Sequence, residues 1–172
     1  ATYPQRRVKH YDTSKAHITH SVDQSLLRLG VEVIDLLLIH RPDPFMDAQE
    51  TGAALDALVA SGKVRGIGVS NFKPWDWNLL QSAMRNPLQT NQVEISLLQR
   101  ETFLDGTLAQ AQQLKAPPMA WSPLAGGALL GDGAAALRLR PALERIAAIY
   151  GVGPDAVALA WLLAHPARIV PV

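Results

Sequence analysis

The chain has 172 residues, 48% of them hydrophobic and 18% charged, which is enough apolar side chain for one buried core of ordinary size. Its 16 basic and 15 acidic residues are interspersed and leave a net charge of +1, so no electrostatic footprint for nucleic acid or an anionic membrane stands out. Cysteine is absent, which excludes a disulfide framework and thiolate chemistry and fits a reducing, cytoplasmic compartment.

The opening Ala1 to Lys9 is polar and basic with no apolar run behind it, and it does not read as a secretory signal. Ser14 can cap a helix running to Leu29, because Ile18, Val22, Leu26 and Leu29 recur at helical spacing and Gly30 can end it. Ile34 to Ile39 is nearly all apolar and predicts a strand buried on both faces, as parallel sheets require. Pro42 and Pro44 cannot continue a ladder, so His40 is placed at the strand's C-terminal end. Asp47 followed by Glu50 resembles a capping box for a second helix, with Leu55, Leu58 and Val59 inward and Gly62 as terminator.

The pattern recurs. Val64 to Val69 predicts a strand closing on Ser70 and Asn71, and Pro74 suits the first turn of a helix to Met84. Thr90 to Ile95 predicts a third strand, Leu108, Ala111 and Leu114 a helix, and Pro118 to Trp121 a fourth strand running into Ser122, Pro123, Leu124, Ala125, Gly126 and Gly127. Gly131 to Ala136 is expected as a loop, Pro141 to Tyr150 and Pro154 to His165 as helices, and Ile169 to Val172 as a fifth strand. The longest apolar stretch, Ala156 to Ala164, is far below the roughly 18 residues of a membrane span.

Strand starts near positions 34, 64, 90 and 118 are spaced like βα units with short loops, which predicts parallel strands. No linker or composition shift marks a second domain, so residues 1–172 are expected as one. An open doubly wound sheet and a closed barrel both fit alternating strands and helices. Length favours the open sheet. Against it, no G-x-G-x-x-G follows a strand, and polar residues recur at the C-terminal ends of several successive strands. The expected fold is therefore α/β, a (β/α)8 TIM-type barrel of which about five βα units are present.

Strand-end residues of a parallel barrel converge on one face, which makes His40, Ser70, Asn71, Gln92 and Ser122 candidates for a shared pocket. Singly, each has an ordinary explanation as a turn or strand-end residue. His17 and His20 lack a carboxylate or cysteine companion, so no metal site is expected. Trp75 and Trp77 are expected to cover an outer or loop surface.

Four runs in order shift the weight toward function: Leu37-Leu38-Ile39-His40, then Gly66-Ile67-Gly68-Val69-Ser70-Asn71-Phe72, then Asn91-Gln92-Val93-Glu94, then Trp121-Ser122-Pro123-Leu124. On these the chain resembles the aldo-keto reductase family. The resemblance implies reduction of a small-molecule aldehyde or ketone by hydride transfer from NADP, with NAD possible. It implies that His40 hydrogen-bonds the substrate carbonyl, that Ser70, Asn71 and Gln92 hold the nicotinamide carboxamide, and that Trp121 stacks on the nicotinamide where the family usually has tyrosine. Ser122 and Leu124 match residues near the cofactor pyrophosphate.

The family also places an aspartate, a tyrosine and a lysine on its first three barrel strands. Lys9, Tyr11 and Asp12 are of the right types but do not match those motifs, and the roles are not transferred to them. The family's Gly-Ser loop and basic adenosine-phosphate clasp would follow Val172. Five strands leave exposed edges, so the chain is expected to be an excerpt of a larger protein, inactive alone and prone to aggregate or dimerise. A regulatory or scaffold protein, or an inert fragment keeping the fold, is the alternative. The sequence assigns no oligomeric state and no particular substrate, and selectivity is expected in the loop from Gly131 to Arg140.

Overall fold

A computed structural model describes residues 10–172. Lys9 and the polar opening segment lie outside the described residues. The chain divides into two compact units, one ending at Gln89 and the other running Thr90–Val172.

In the first unit, α1 (Lys15–Leu29) starts where the Ser14 hydroxyl accepts from His17 N at 3.3 Å and ends on Gly30, whose φ of 66° is left-handed. That conformation costs glycine nothing and lets the Gly30 and Val31 amides close on the Leu27 and Leu26 carbonyls. Ile18 and Val22 are buried, but the predicted stripe stops there, because Leu29 in the last turn is exposed.

β1 (Ile34–Ile39) pairs in parallel with β2 (Val64–Ser70), from Ile34 opposite Val64 to Ile39 opposite Val69. β2 is buried throughout except at Arg65, whose guanidinium meets the Asp35 carboxylate across the pair. β1 departs from the expectation of burial on both faces, since only Ile39 is buried. Among the described residues it is the terminal strand of its sheet, with a ladder on one side alone, and they only half cover its apolar run.

α2 (Ala48–Ala60) begins at Asp47, whose carboxylate accepts from Gln49 N at 2.9 Å and Glu50 N at 3.0 Å. The expected capping box is not closed. Glu50 accepts instead from Lys15 N at 3.0 Å, satisfying an orphan amide at the start of α1. Beside it, the buried Thr51 hydroxyl donates to Thr13 O at 2.8 Å. Leu55 and Leu58 are buried while Val59 is only partly so.

α3 (Pro74–Ser82) opens on Pro74, where a missing N–H is harmless, and Asp76 accepts from Lys73 N at 3.1 Å. Trp75 is 64% exposed, whereas Trp77 is 3% exposed and packs inward with Leu80. The surface placement expected for both tryptophans is thus corrected for Trp77, because helical phase puts it three residues from Leu80 on the buried side.

Asp56 on α2 pins the turn after α3, accepting from Arg85 N at 2.8 Å, Asn86 N at 3.0 Å and Asn86 Nδ2 at 2.7 Å. Partial desolvation pushes its carboxyl up, but these donors and the Arg85 charge together outweigh that and hold the pKa below its ordinary value. A lowered folded pKa contributes stability that is full above the unfolded value and is lost as pH falls through the folded one. Denaturant unfolding should show this acid-side loss in the native protein and a smaller one in Asp56→Asn.

β3 (Leu88–Glu94) crosses the boundary between the units and starts two residues earlier than expected. In the second unit, β4 (Met119–Trp121) pairs in parallel with β3, placing Gln92 opposite Met119 and Glu94 opposite Trp121. β5 (Val170–Pro171) pairs in parallel with β4. A 3-10 turn at Glu101–Phe103 and α4 (Thr107–Leu114) lie between β3 and β4. Val93, Ile95, Leu108, Ala120, Leu162 and Ile169 belong to one core cluster, and Leu129, Leu143 and Ala158 form another.

After β4 come a second 3-10 segment (Ala125–Leu130), α5 (Ala134–Tyr150) and α6 (Pro154–Leu163). The expected loop to Ala136 and helix start at Pro141 are both corrected. Ala134, Ala135 and Ala136 already form helix, and Pro141 lies inside it. Pro141 cannot donate to the Leu137 carbonyl, but both residues are on the exposed side of α5, where water can serve that oxygen. No single helix among the described residues is long and apolar enough to cross a membrane.

Candidate functional site

In the first unit the paired strands deliver two polar ends side by side. Ile39 is opposite Val69, so His40 and Ser70 follow at the same end of the ladder. Asn71 turns the chain with a φ of 59°, a left-handed conformation that asparagine tolerates better than most side chains. From there its Nδ2 donates to Ser70 Oγ at 2.9 Å and to the His40 carbonyl at 3.3 Å. Three of the expected site residues are therefore joined through one side-chain amide. Ser70 is buried, while the His40 side is open.

The open side is a cavity of about 210 Å³ whose lining includes Tyr11, His17, Val22, Leu38, His40 and Arg41. Tyr11 meets His40 edge to face, with centroids 6.0 Å apart and planes at 77°. Sequence reasoning set Tyr11 aside because its local motif did not match. The contact joins residues 29 positions apart in the chain, and no short-range pattern signals it.

In the second unit, strand alternation sorts the side chains. Asn91, Val93 and Ala120 are buried on one face, and Gln92, Glu94, Met119 and Trp121 share the other, where all four are partly accessible. Gln92 and Trp121 thus stand on one face of neighbouring strands, an amide two steps from an indole. Beyond Trp121 the backbone turns left-handed repeatedly, with φ of 50° at Ser122, 54° at Ala125, 62° at Gly126 and 92° at Gly127. A Cβ built on Gly126 or Gly127 would meet nothing within 4 Å. These glycines serve conformation, and the loop has open space beside it. Leu124 packs at the edge of the Leu129 cluster.

The sequence profile of the Aldo/keto reductase family matches residues 5–172. The chain belongs to the aldo/keto reductase family. A 6-dehydroglucose reductase of Agrobacterium fabrum is 60% identical over 166 residues, covering 96% of this chain and 55% of that protein. An oxidoreductase of Escherichia coli is 48% identical, with 96% and 55% covered.

Among solved structures, an aldo/keto reductase from Klebsiella pneumoniae in complex with NADP and acetate superposes with a TM-score of 0.79 at 32% identity, over 93% of this chain and 55% of that one. A glycerol dehydrogenase from Gluconobacter oxydans gives 0.85 at 27% identity, over 100% and 60%. The fold is accordingly part of a TIM-type barrel, and the chain spans about half the length of the curated relatives it matches.

Within this aldo/keto reductase chain the two residue sets offer different chemistry. His40 presents an imidazole, able to donate from one nitrogen while the other accepts, beside a hydroxyl and an amide. Gln92 and Trp121 present an amide and a large aromatic face, which complement a carboxamide-bearing aromatic ring. Both side chains of the second set are neutral.

Proposed function

We propose that the whole protein reduces an aldehyde or ketone to an alcohol, with a hydride from NADPH added at carbon and a proton, drawn ultimately from solvent, at oxygen. The observation that carries this reading is the Asn71 amide holding Ser70 Oγ and the His40 carbonyl together at the ends of two paired strands. This reading is supported by an imidazole, able to donate to a carbonyl oxygen, at the end of one strand and by a hydroxyl and an amide, of the kind that hold a nicotinamide carboxamide, at the end of its neighbour. Within the second unit, the Gln92 amide and the Trp121 indole are groups of the kind that hold a carboxamide and stack on its ring. The half-accessible placement of both side chains and the open space at Gly126 and Gly127 fit such a cofactor. When bound, it supplies the hydride.

His40 orients the substrate carbonyl by hydrogen bonding to its oxygen, where negative charge develops as the hydride arrives at carbon. Ser70, Asn71 and Gln92 fix which ring face is presented, and this orientation is the protein's main contribution to hydride transfer. NADP is preferred over NAD because a related structure holds NADP. The 60% identical relative makes 6-dehydroglucose the first carbonyl to assay.

The test is oxidation of NADPH by the whole protein with 6-dehydroglucose and simple aldehydes, repeated with NADH. Cofactor binding without turnover of any carbonyl would favour a binding or scaffold protein instead. In the same assay Gln92→Ala is expected to weaken NADPH binding about tenfold, the scale of one or two lost hydrogen bonds. Turnover at saturating NADPH should change far less, and unchanged NADPH affinity would remove Gln92 from the site.

A further inference from the structure

We infer that Arg140 is a positioning residue for the loop from Ser122 to Gly131, and that it sets nucleotide affinity without touching the nucleotide. The inference rests on the reading of Ser122 and Leu124 as cofactor contacts. The loop has to hold left-handed backbone at two residues that are not glycine, Ser122 and Ala125, a conformation that persists only where the surroundings over-determine it. Its internal bonds are short-range: Ala125 N to Ser122 O at 2.7 Å, Gly127 N to Leu124 O at 3.0 Å, Leu129 N to Leu124 O at 3.3 Å and Gly131 N to Ala128 O at 3.2 Å. Bonds of that span shape the loop but do not place it.

Placement comes from packing and from one polar tie, since Leu124 and Ala125 lie against the cluster that α5 and α6 share with Leu129. Leu129 is buried in the cluster with Leu143 and Ala158. Two residues later, Arg140 Nη2 donates to the Gly131 carbonyl at 2.9 Å and to Asp132 Oδ1 at 3.1 Å. Arg140 reaches back nine residues to do so, and its side chain is 37% exposed while that of Asp132 is 92% exposed. An ion pair that open contributes little stability. Its effect is geometric, because one guanidinium nitrogen closes the end of a loop that carries several costly backbone conformations.

The test uses the whole protein, with Arg140→Ala and Arg140→Lys. In the absence of nucleotide, amide hydrogen exchange over residues 125–131 should speed up in R140A. Calorimetric titration with NADPH should show about tenfold weaker binding, the scale of losing a charge-assisted hydrogen bond. At saturating NADPH and saturating carbonyl, kcat should stay within about twofold. Lysine keeps a cation without the planar fork, so R140K should recover part of the affinity.

R140A binding NADPH as the wild type does would overturn the inference, as would no recovery in R140K. A joint loss of NADPH affinity, saturated kcat and melting temperature would overturn it too, because that pattern is general destabilisation. Wild-type protein that binds no NADPH would instead overturn the cofactor reading itself, a result seen before any substitution is made.

Discussion

Replacing His40 with alanine in the whole protein is expected to lower carbonyl turnover by about two to three orders of magnitude, the usual loss when one preorganised donor to a developing oxyanion is removed. Affinity for NADPH should stay within about twofold. The separation follows from how His40 is held. Asn71 grips its backbone carbonyl rather than its ring, so the strand end and the Ser70–Asn71 contact survive removal of the imidazole. The ring lines the cavity, edge-on to Tyr11. Steady-state kinetics with a calorimetric check on NADPH binding decides the matter. Wild-type turnover in the variant would remove His40 from the reaction, and a parallel loss of NADPH binding would recast it as a cofactor residue.

The second large effect is one of packing. Gly52→Ala should destabilise the protein even though alanine is the better helix former by about 1 kcal/mol. Gly52 is buried on α2, and a Cβ there would lie 2.5 Å from the Ala83 carbonyl oxygen and 3.0 Å from its carbon. The obstacle is backbone, so no rotamer change relieves it, and α2 and α3 have to separate. Overpacking of this kind costs roughly 1–3 kcal/mol, which offsets the propensity gain and leaves a net loss. Thermal unfolding should show a lower midpoint. An equal or higher one would mean that the end of α3 yields freely.

Features decided by neighbours in the chain were legible in advance. The Ser14 and Gly30 ends of α1, the Pro74 and Pro154 starts and the strand ends at His40 and Ser70 each depend on local chemistry, and the order of the four motifs carried the family. What depends on distant surroundings was not legible. An apolar run cannot tell whether β1 will be covered on both faces. Glu50 has the spacing of a capping box, but it serves the Lys15 amide 35 residues away. Pro141 reads as a helix start until its solvent-facing side is known. Tyr11 beside His40 and Arg140 on Gly131 are likewise products of folding, with no signature at short range.

The contrast between Trp75 and Trp77 has an optical consequence. The Trp77 indole is buried and its Nε1 has no hydrogen-bond partner, so its fluorescence belongs at the blue end of the tryptophan range. Trp75, two residues earlier and facing water, emits toward the red. Loosening of α3 would move the Trp77 emission toward that of Trp75, and the difference spectrum against Trp77→Phe separates this change from the emission of Trp121 and Trp161.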